Sequence, residues 1–186
     1  KCRPDTVEFI GGHPMAGKEV SGIDDAEGTL FRNTHFIITP GEDSTQEHLG
    51  LLGRMAVHCR FRDVVSTTPQ RHDEMIAYTS QLMHVIALSV CDNDELFSCM
   101  GFEGGSFRDC TRVAALDVPL WTQLFTLNAD ALCGMVEQLE ERLRTYRQAI
   151  ASGDREAVAA LLAHAAGRKK QRNFEQARGD DVHATF

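Results

Sequence analysis

A chain of 186 residues can hold one ordinary domain, or a small domain with part of another, and bury a real core without disulfides. A formal net charge of -8 argues against a nucleic-acid surface, which needs clustered Lys and Arg. No apolar run approaches the roughly 20 residues that cross a bilayer, so no membrane partner is expected either. The opening Lys1-Cys2-Arg3-Pro4-Asp5 has no initiator Met and no targeting pattern, and reads as a cut from something longer. Cys2, Cys59, Cys91, Cys99, Cys110 and Cys133 form no C-x-x-C pair, and most have apolar neighbours. They are expected to be buried thiols in a reducing cytoplasm.

Three strands and one helix are predicted up to Thr68. Val7-Glu8-Phe9-Ile10 stops at Gly11-Gly12, His35 to Thr39 stops at Pro40-Gly41, and Arg62 to Ser66 stops before Thr67-Thr68-Pro69. Between the last two, Ser44 can cap a helix whose Glu47 completes a capping box and whose Leu51, Leu52, Met55 and Ala56 form an apolar stripe. The pattern is that of the end of a parallel α/β domain.

Helical spacing then takes over, with a boundary near Thr68 and Pro69. The first helix carries Met75, Ile76, Leu82, Met83, Ile86, Ala87 and Val90, a face wide enough to predict a central, buried helix. A glycine-rich break from Gly101 to Gly105 precedes a short helix through Arg112. Asp117 and Pro119 then start a long helix running toward Ser152, with a seam from Leu132 to Ile150 suited to a second helix or a second copy of the chain. Gly153 ends it and Asp154 caps a last helix. The cations Arg168, Lys169, Lys170 and Arg172 are placed near that helix's end, and residues 179–186 are expected to be a disordered tail.

Three segments carry candidate chemistry. In Gly11-Gly12-His13-Pro14-Met15-Ala16-Gly17-Lys18-Glu19-Val20-Ser21-Gly22 the glycines let the backbone turn at a strand end, where α/β sheets bind ligands, and His13 can take a proton near neutral pH. A histidine in a Gly/Pro loop is nonetheless more often a turn residue. In Gly104 to Ala114, Asp109 and Arg112 share a helical face. That spacing fits a surface ion pair as well as a guanidinium held ready for a carboxylate. Thr79-Ser80-Gln81-Leu82-Met83-His84 sits in the apolar helix, with His72-Asp73 upstream and Trp121, the only tryptophan, further on. His84 and Trp121 fit a satisfied core or the wall of a ligand cavity. No pair of histidines has a metal-binding spacing.

In this order the segments resemble prephenate dehydrogenases. Members of that family carry G-G-H-P-x-A-G-x-E-x-S-G after a strand, then H-D leading to S-H-L-P-H, then G-G-F-x-D-x-T-R-I-A followed by a tryptophan. The counterparts here are Gly11 to Gly22, His72-Asp73, Ser80 to His84, Gly104 to Ala114, and Trp121. The resemblance implies the last strands of a Rossmann-like domain (1–68), followed by a mainly α-helical dimerisation and substrate domain (69–178). It implies a cytoplasmic homodimer acting on prephenate with NAD or NADP. His13 would be the base on the substrate's ring hydroxyl and Arg112 would bind a substrate carboxylate. Glu19 would guard the pocket in an ionic network with Asp109 and Arg112, while Ser80, His84 and Trp121 would line the pocket.

Gln81 and Met83 depart from S-H-L-P-H, and the cationic Lys18 stands beside the gate, where it would assist the approach of an anion. No G-x-G-x-x-G turn occurs in the chain, so no tight dinucleotide binding and no activity are expected of it alone. Arogenate dehydrogenase is the alternative within the class. A helical dimerisation and tyrosine-sensing module without chemistry is the alternative outside it.

Overall fold

The computed structural model describes residues 7–18, 22–95, 97–98 and 101–183, with side chains described to residue 176. By its contacts the chain divides into two compact units, Lys1–Met135 and Val136–Phe186.

The first unit opens with a sheet of order β1-β2-β3. β1 (Gly11–Pro14) runs antiparallel to β2 (His35–Thr39), and β2 runs parallel to β3 (Asp63–Ser66). Between β2 and β3 lies α1 (Gln46–His58). Phe36 and Ile38 alternate along β2 and are buried with Ala56 of α1, against Ile10, Leu49, Leu52, Phe61 and Val64. The second and third strands form as the sequence predicts, but the first is displaced. Val7 to Ile10 forms no strand, and the ladder runs through Gly11 to Pro14 instead. Close approach explains this: a Cβ on Gly12 would lie 2.8 Å from the buried Phe36 ring, and one on Gly11 would lie 2.4 Å from the Thr39 hydroxyl.

The cap of α1 also shifts by one residue. Thr45, not Ser44, accepts from the His48 amide, while Ser44 accepts from the Gly41 amide. The carboxylate of the expected capping box comes from Glu8 rather than Glu47, accepting from the Thr45 amide and the His48 ring.

Thr68 caps α2 (Pro69–Ile76), which passes through a π-helical turn (Ala77–Gln81) into α3 (Leu82–Cys91). The burial predicted for this helix holds on one side only. Ala77, Leu82 and Ala87 are buried, while Tyr78, Met83 and Val90 are exposed. Gln81, in the π turn, is 4% exposed and bonded at both ends of its amide: the nitrogen donates to the Leu124 carbonyl and the oxygen accepts from Asn128, which also donates to the Asp73 carbonyl. α4 (Gly105–Thr111) leads into a 3-10 turn (Arg112–Ala114), and both pack on α3. The long helix expected from Asp117 is two helices, α5 (Val118–Leu127) and α6 (Ala129–Ala151). The break falls at Asn128, whose side chain braces the π turn. Asp117 caps α5 through the Leu120 amide, as expected.

In the second unit the remainder of α6 turns at Gly153 (φ 69°) into α7 (Arg155–His183). Asp154 accepts from the amides of Glu156 and Ala157, and the Tyr146 hydroxyl reaches the Leu161 carbonyl at 3.4 Å. α7 continues through Gly179, where the sequence places the start of a tail. Arg168 to Arg172 therefore lie in mid-helix, where the dipole argument does not apply. Of the four described cysteines, Cys59 and Cys91 are half-buried, but Cys110 and Cys133 are exposed, contrary to expectation. Cys2 and Cys99 lie outside the described residues. No described helix is long and apolar enough to cross a membrane.

Candidate active site

β1 sets His13 opposite Ile37 of β2; Pro14 faces Phe36 at a position that needs no N–H, and the Met15 amide beyond it still donates to the His35 carbonyl at 2.9 Å. His13 is therefore held by a strand rather than by the loop that its glycines suggest. From the other side, the Thr68 cap and Pro69 start α2 so that His72 falls in its first turns, and α2 packs on β2. A cavity of about 220 Å³ lies between these elements, lined by His13, Thr39, His72 and Asp73 among others.

Within it the Nδ1 of His13 lies 2.8 Å from the Nε2 of His72, and the two rings meet edge to face at 5.1 Å. The Nδ1 of His72 lies 2.7 Å from the Asp73 carboxylate. Burial pushes the His13 pKa below its ordinary value, and the neighbouring His72 adds to the effect. A group so placed is neutral near pH 7 and able to take a proton. His72 is the partner that sequence reasoning missed. The H-D pair is visible in the chain, but the contact spans 59 positions and no local pattern reveals it.

A second cluster surrounds the π turn and α5. His84 donates from Nδ1 to the Ser80 carbonyl at 3.0 Å, and its ring stacks on Trp121 with centroids 3.6 Å apart. Trp121 in turn meets Phe125 edge to face. Ser80, His84 and Trp121 are thus brought together, half-buried. Arg112 opens the 3-10 turn that packs on α3, the helix bearing His84, and Asp109 sits in α4 just before it; both are exposed. Glu19 lies outside the described residues. Lys18 is engaged by Glu27 at 2.6 Å and by the Asp25 carbonyl, so its ammonium already has an acidic partner. Gln81 faces the helical brace described above.

The family model of the prephenate dehydrogenase dimerization domain matches residues 68–164, and that of the prephenate dehydrogenase nucleotide-binding domain matches residues 2–65. The chain belongs to the prephenate dehydrogenase family. Among curated relatives, the prephenate dehydrogenase of Bacillus subtilis (strain 168) is 29% identical over 153 residues, which are 77% of this chain and 40% of that protein. The cyclohexadienyl dehydrogenase of Zymomonas mobilis is 32% identical over 152 residues, 78% of this chain and 52% of that one. The chain thus spans about half the length of these relatives.

Solved structures agree with this prephenate dehydrogenase family fold. Synechocystis arogenate dehydrogenase superposes with a TM-score of 0.74 at 27% identity, covering 88% of this chain and 61% of that one. Prephenate dehydrogenase from A. aeolicus, in complex with hydroxyphenyl propionate and NAD+, gives 0.76 at 25% identity, covering 88% and 58%. The short sheet followed by helices is the layout expected from the sequence.

Proposed function

We propose that the protein carrying this chain is a cytoplasmic, NAD- or NADP-dependent prephenate dehydrogenase, which converts prephenate to 4-hydroxyphenylpyruvate by oxidative decarboxylation in tyrosine biosynthesis. The observation that carries the reading is His13, half-buried at a cavity, bonded to a second imidazole and held neutral at pH 7. In this reading His13 accepts the proton of the ring hydroxyl. Arg112 binds a substrate carboxylate through its planar fork. Asp109 and Glu19 belong to the ionic surroundings of that arginine, and Ser80, His84 and Trp121 line the substrate pocket.

When bound, the nicotinamide supplies the hydride acceptor for such a reaction. The residues present do not fit its pyrophosphate, because no G-x-G-x-x-G turn occurs among the 186. Cofactor binding is accordingly assigned to sequence beyond this chain, and the chain alone is expected to be inactive. Residues 1–68 would close the nucleotide-binding domain, and 69–178 would form the helical dimerisation and substrate domain. Homodimerisation through the helices is supported by the family model matched over 68–164 and by the exposed Leu143, Ile150 and Leu162.

Arogenate is the second substrate to consider, favoured by the likeness to the Synechocystis arogenate dehydrogenase. The test is an assay of the full-length protein with each dinucleotide and with prephenate or arogenate, following cofactor reduction. Turnover of prephenate with release of 4-hydroxyphenylpyruvate is expected. Turnover of arogenate alone would move the reading to the second substrate. Tyrosine binding without turnover of either would overturn it in favour of a sensing module.

A further inference from the structure

Two hydrogen bonds in series determine which nitrogen of His13 carries its hydrogen. At 2.8 Å, a single hydrogen lies between His13 Nδ1 and His72 Nε2, and either ring is able to donate it. The second bond removes the ambiguity. An ionised carboxylate only accepts, so the 2.7 Å contact to Asp73 requires the hydrogen of His72 to be on Nδ1. A neutral imidazole has one N–H, which leaves a lone pair on His72 Nε2, and His13 must then donate from Nδ1. The lone pair of His13 is left on Nε2.

The other side chains at the cavity do not compete. β2 presents Ile37 and Thr39, and α2 presents Pro69, none of which ionises in this range. Among the described residues lining the cavity, the ionisable groups are His13, His72 and Asp73 alone. A doubly protonated His72 would have no lone pair for His13 and would set a cation against a half-buried ring.

We propose that His72 and Asp73 are positioning residues that fix His13 as the Nδ1–H tautomer, so that Nε2 is the atom that receives a proton. The proposal deepens the reading of His13 as a base and rests on it only for its kinetic consequence. When Nε2 takes a proton, the Nδ1 hydrogen stays donated to His72, and the new charge faces a neutral ring backed by a carboxylate. An imidazole without this chain would populate both tautomers and present a lone pair at Nε2 only part of the time.

The test is long-range proton–nitrogen NMR on the chain labelled with ¹⁵N-histidine, at a pH where His13 is neutral. The Nδ1–H form of His13 is expected. His72→Leu should convert it to a mixture, and His72→Gln, which keeps an acceptor oxygen, should restore Nδ1–H. Asp73→Ala, a change at an exposed side chain, frees His72 to donate from Nε2 and should raise the Nε2–H form of His13. An Nε2–H His13 in the unsubstituted chain, or a tautomer unmoved by Asp73→Ala, would overturn the proposal even if His72→Leu fails to fold. In the full-length protein His72→Leu should lower kcat by about 10- to 100-fold, a part of what a general base contributes, with KM little changed and with recovery in His72→Gln. If His13→Asn leaves kcat intact while the tautomer shifts occur as expected, the functional reading falls and the positioning stands.

Discussion

His72 and Gln81 stand nine positions apart on one continuous helical stretch, and both are polar side chains drawn out of water, but they are satisfied in different ways. Gln81 is buried with bonds to the Leu124 carbonyl and the Asn128 amide, so none of its principal groups remains to meet a ligand. His72 bonds to another titratable ring at the wall of a cavity, with its other ring nitrogen bonded to Asp73. The difference separates a brace from a chemical site. A polar group tied to backbone carbonyls holds elements in place, whereas one tied to a second titratable group beside open space can take part in proton transfer.

The comparison is broken most sharply at His13. In the full-length protein His13→Asn should lower kcat by roughly 10² to 10⁴ with KM nearly unchanged, because a general base acts on the proton moving in the transition state. Steady-state kinetics with prephenate checks this, after circular dichroism has shown an intact fold. Arg112→Ala should instead act on KM, raising it by about 10- to 100-fold, since a charge-assisted bond of roughly 1.5–3 kcal/mol is made in ground and transition states alike. An unchanged KM would remove Arg112 from the anion site.

At the brace the expected effect is on stability. Gln81→Leu strands the Leu124 carbonyl and one Asn128 N–H, and should cost about 2–3 kcal/mol, seen as a lower urea midpoint at unchanged m-value. A midpoint unmoved by Gln81→Leu would show that the network is dispensable.

The smallest effect belongs to the cap of α1. The hydrogen bond His48 donates to Glu8, and then the Glu8 charge, raise the His48 pKa above its ordinary 6.5, and the same bond lowers that of Glu8 below 4.5. The His48 contribution is complete below pH 6.5 and lost as pH rises through the raised value. The Glu8 contribution is complete above pH 4.5 and lost as pH falls through the lowered value. Both are present between those limits, so His48→Gln should lower Tm slightly there and converge with the unsubstituted protein in alkali. A Tm difference constant from pH 5 to 9 would sink the pairing.

Much of this was legible in the sequence because it is local. Alternation gave β2 and β3, Thr68 with Pro69 marked the start of α2, and Asp117, Gly153 and Asp154 marked their turns and caps. The displaced first strand was not legible, since Gly11 and Gly12 have poor strand propensity and are needed only because Phe36 and Thr39 press against them. The break at Asn128 carries no Gly or Pro, and the partner of its side chain is a π turn 47 positions earlier in the chain. The candidate site shows the same limit. His13 stood out from its neighbours, and Ser80, His84 and Trp121 from the family pattern, but the pairing of His13 with His72 arises only when β1 and α2 come together.

The central claim is that His13 works as an unprotonated base. It is tested most directly by the pH dependence of kcat/KM with prephenate, which reports the free enzyme, measured on the full-length protein between about pH 5 and 8. Burial and the neighbouring His72 hold the His13 pKa below 6.5, and the deprotonated form is the active one. The rate should therefore rise through an apparent pKa below 6.5 and level off before neutrality, and the residual rate of His13→Asn should lack that rise. A rise centred above pH 7, or the same rise persisting in His13→Asn, would contradict the account.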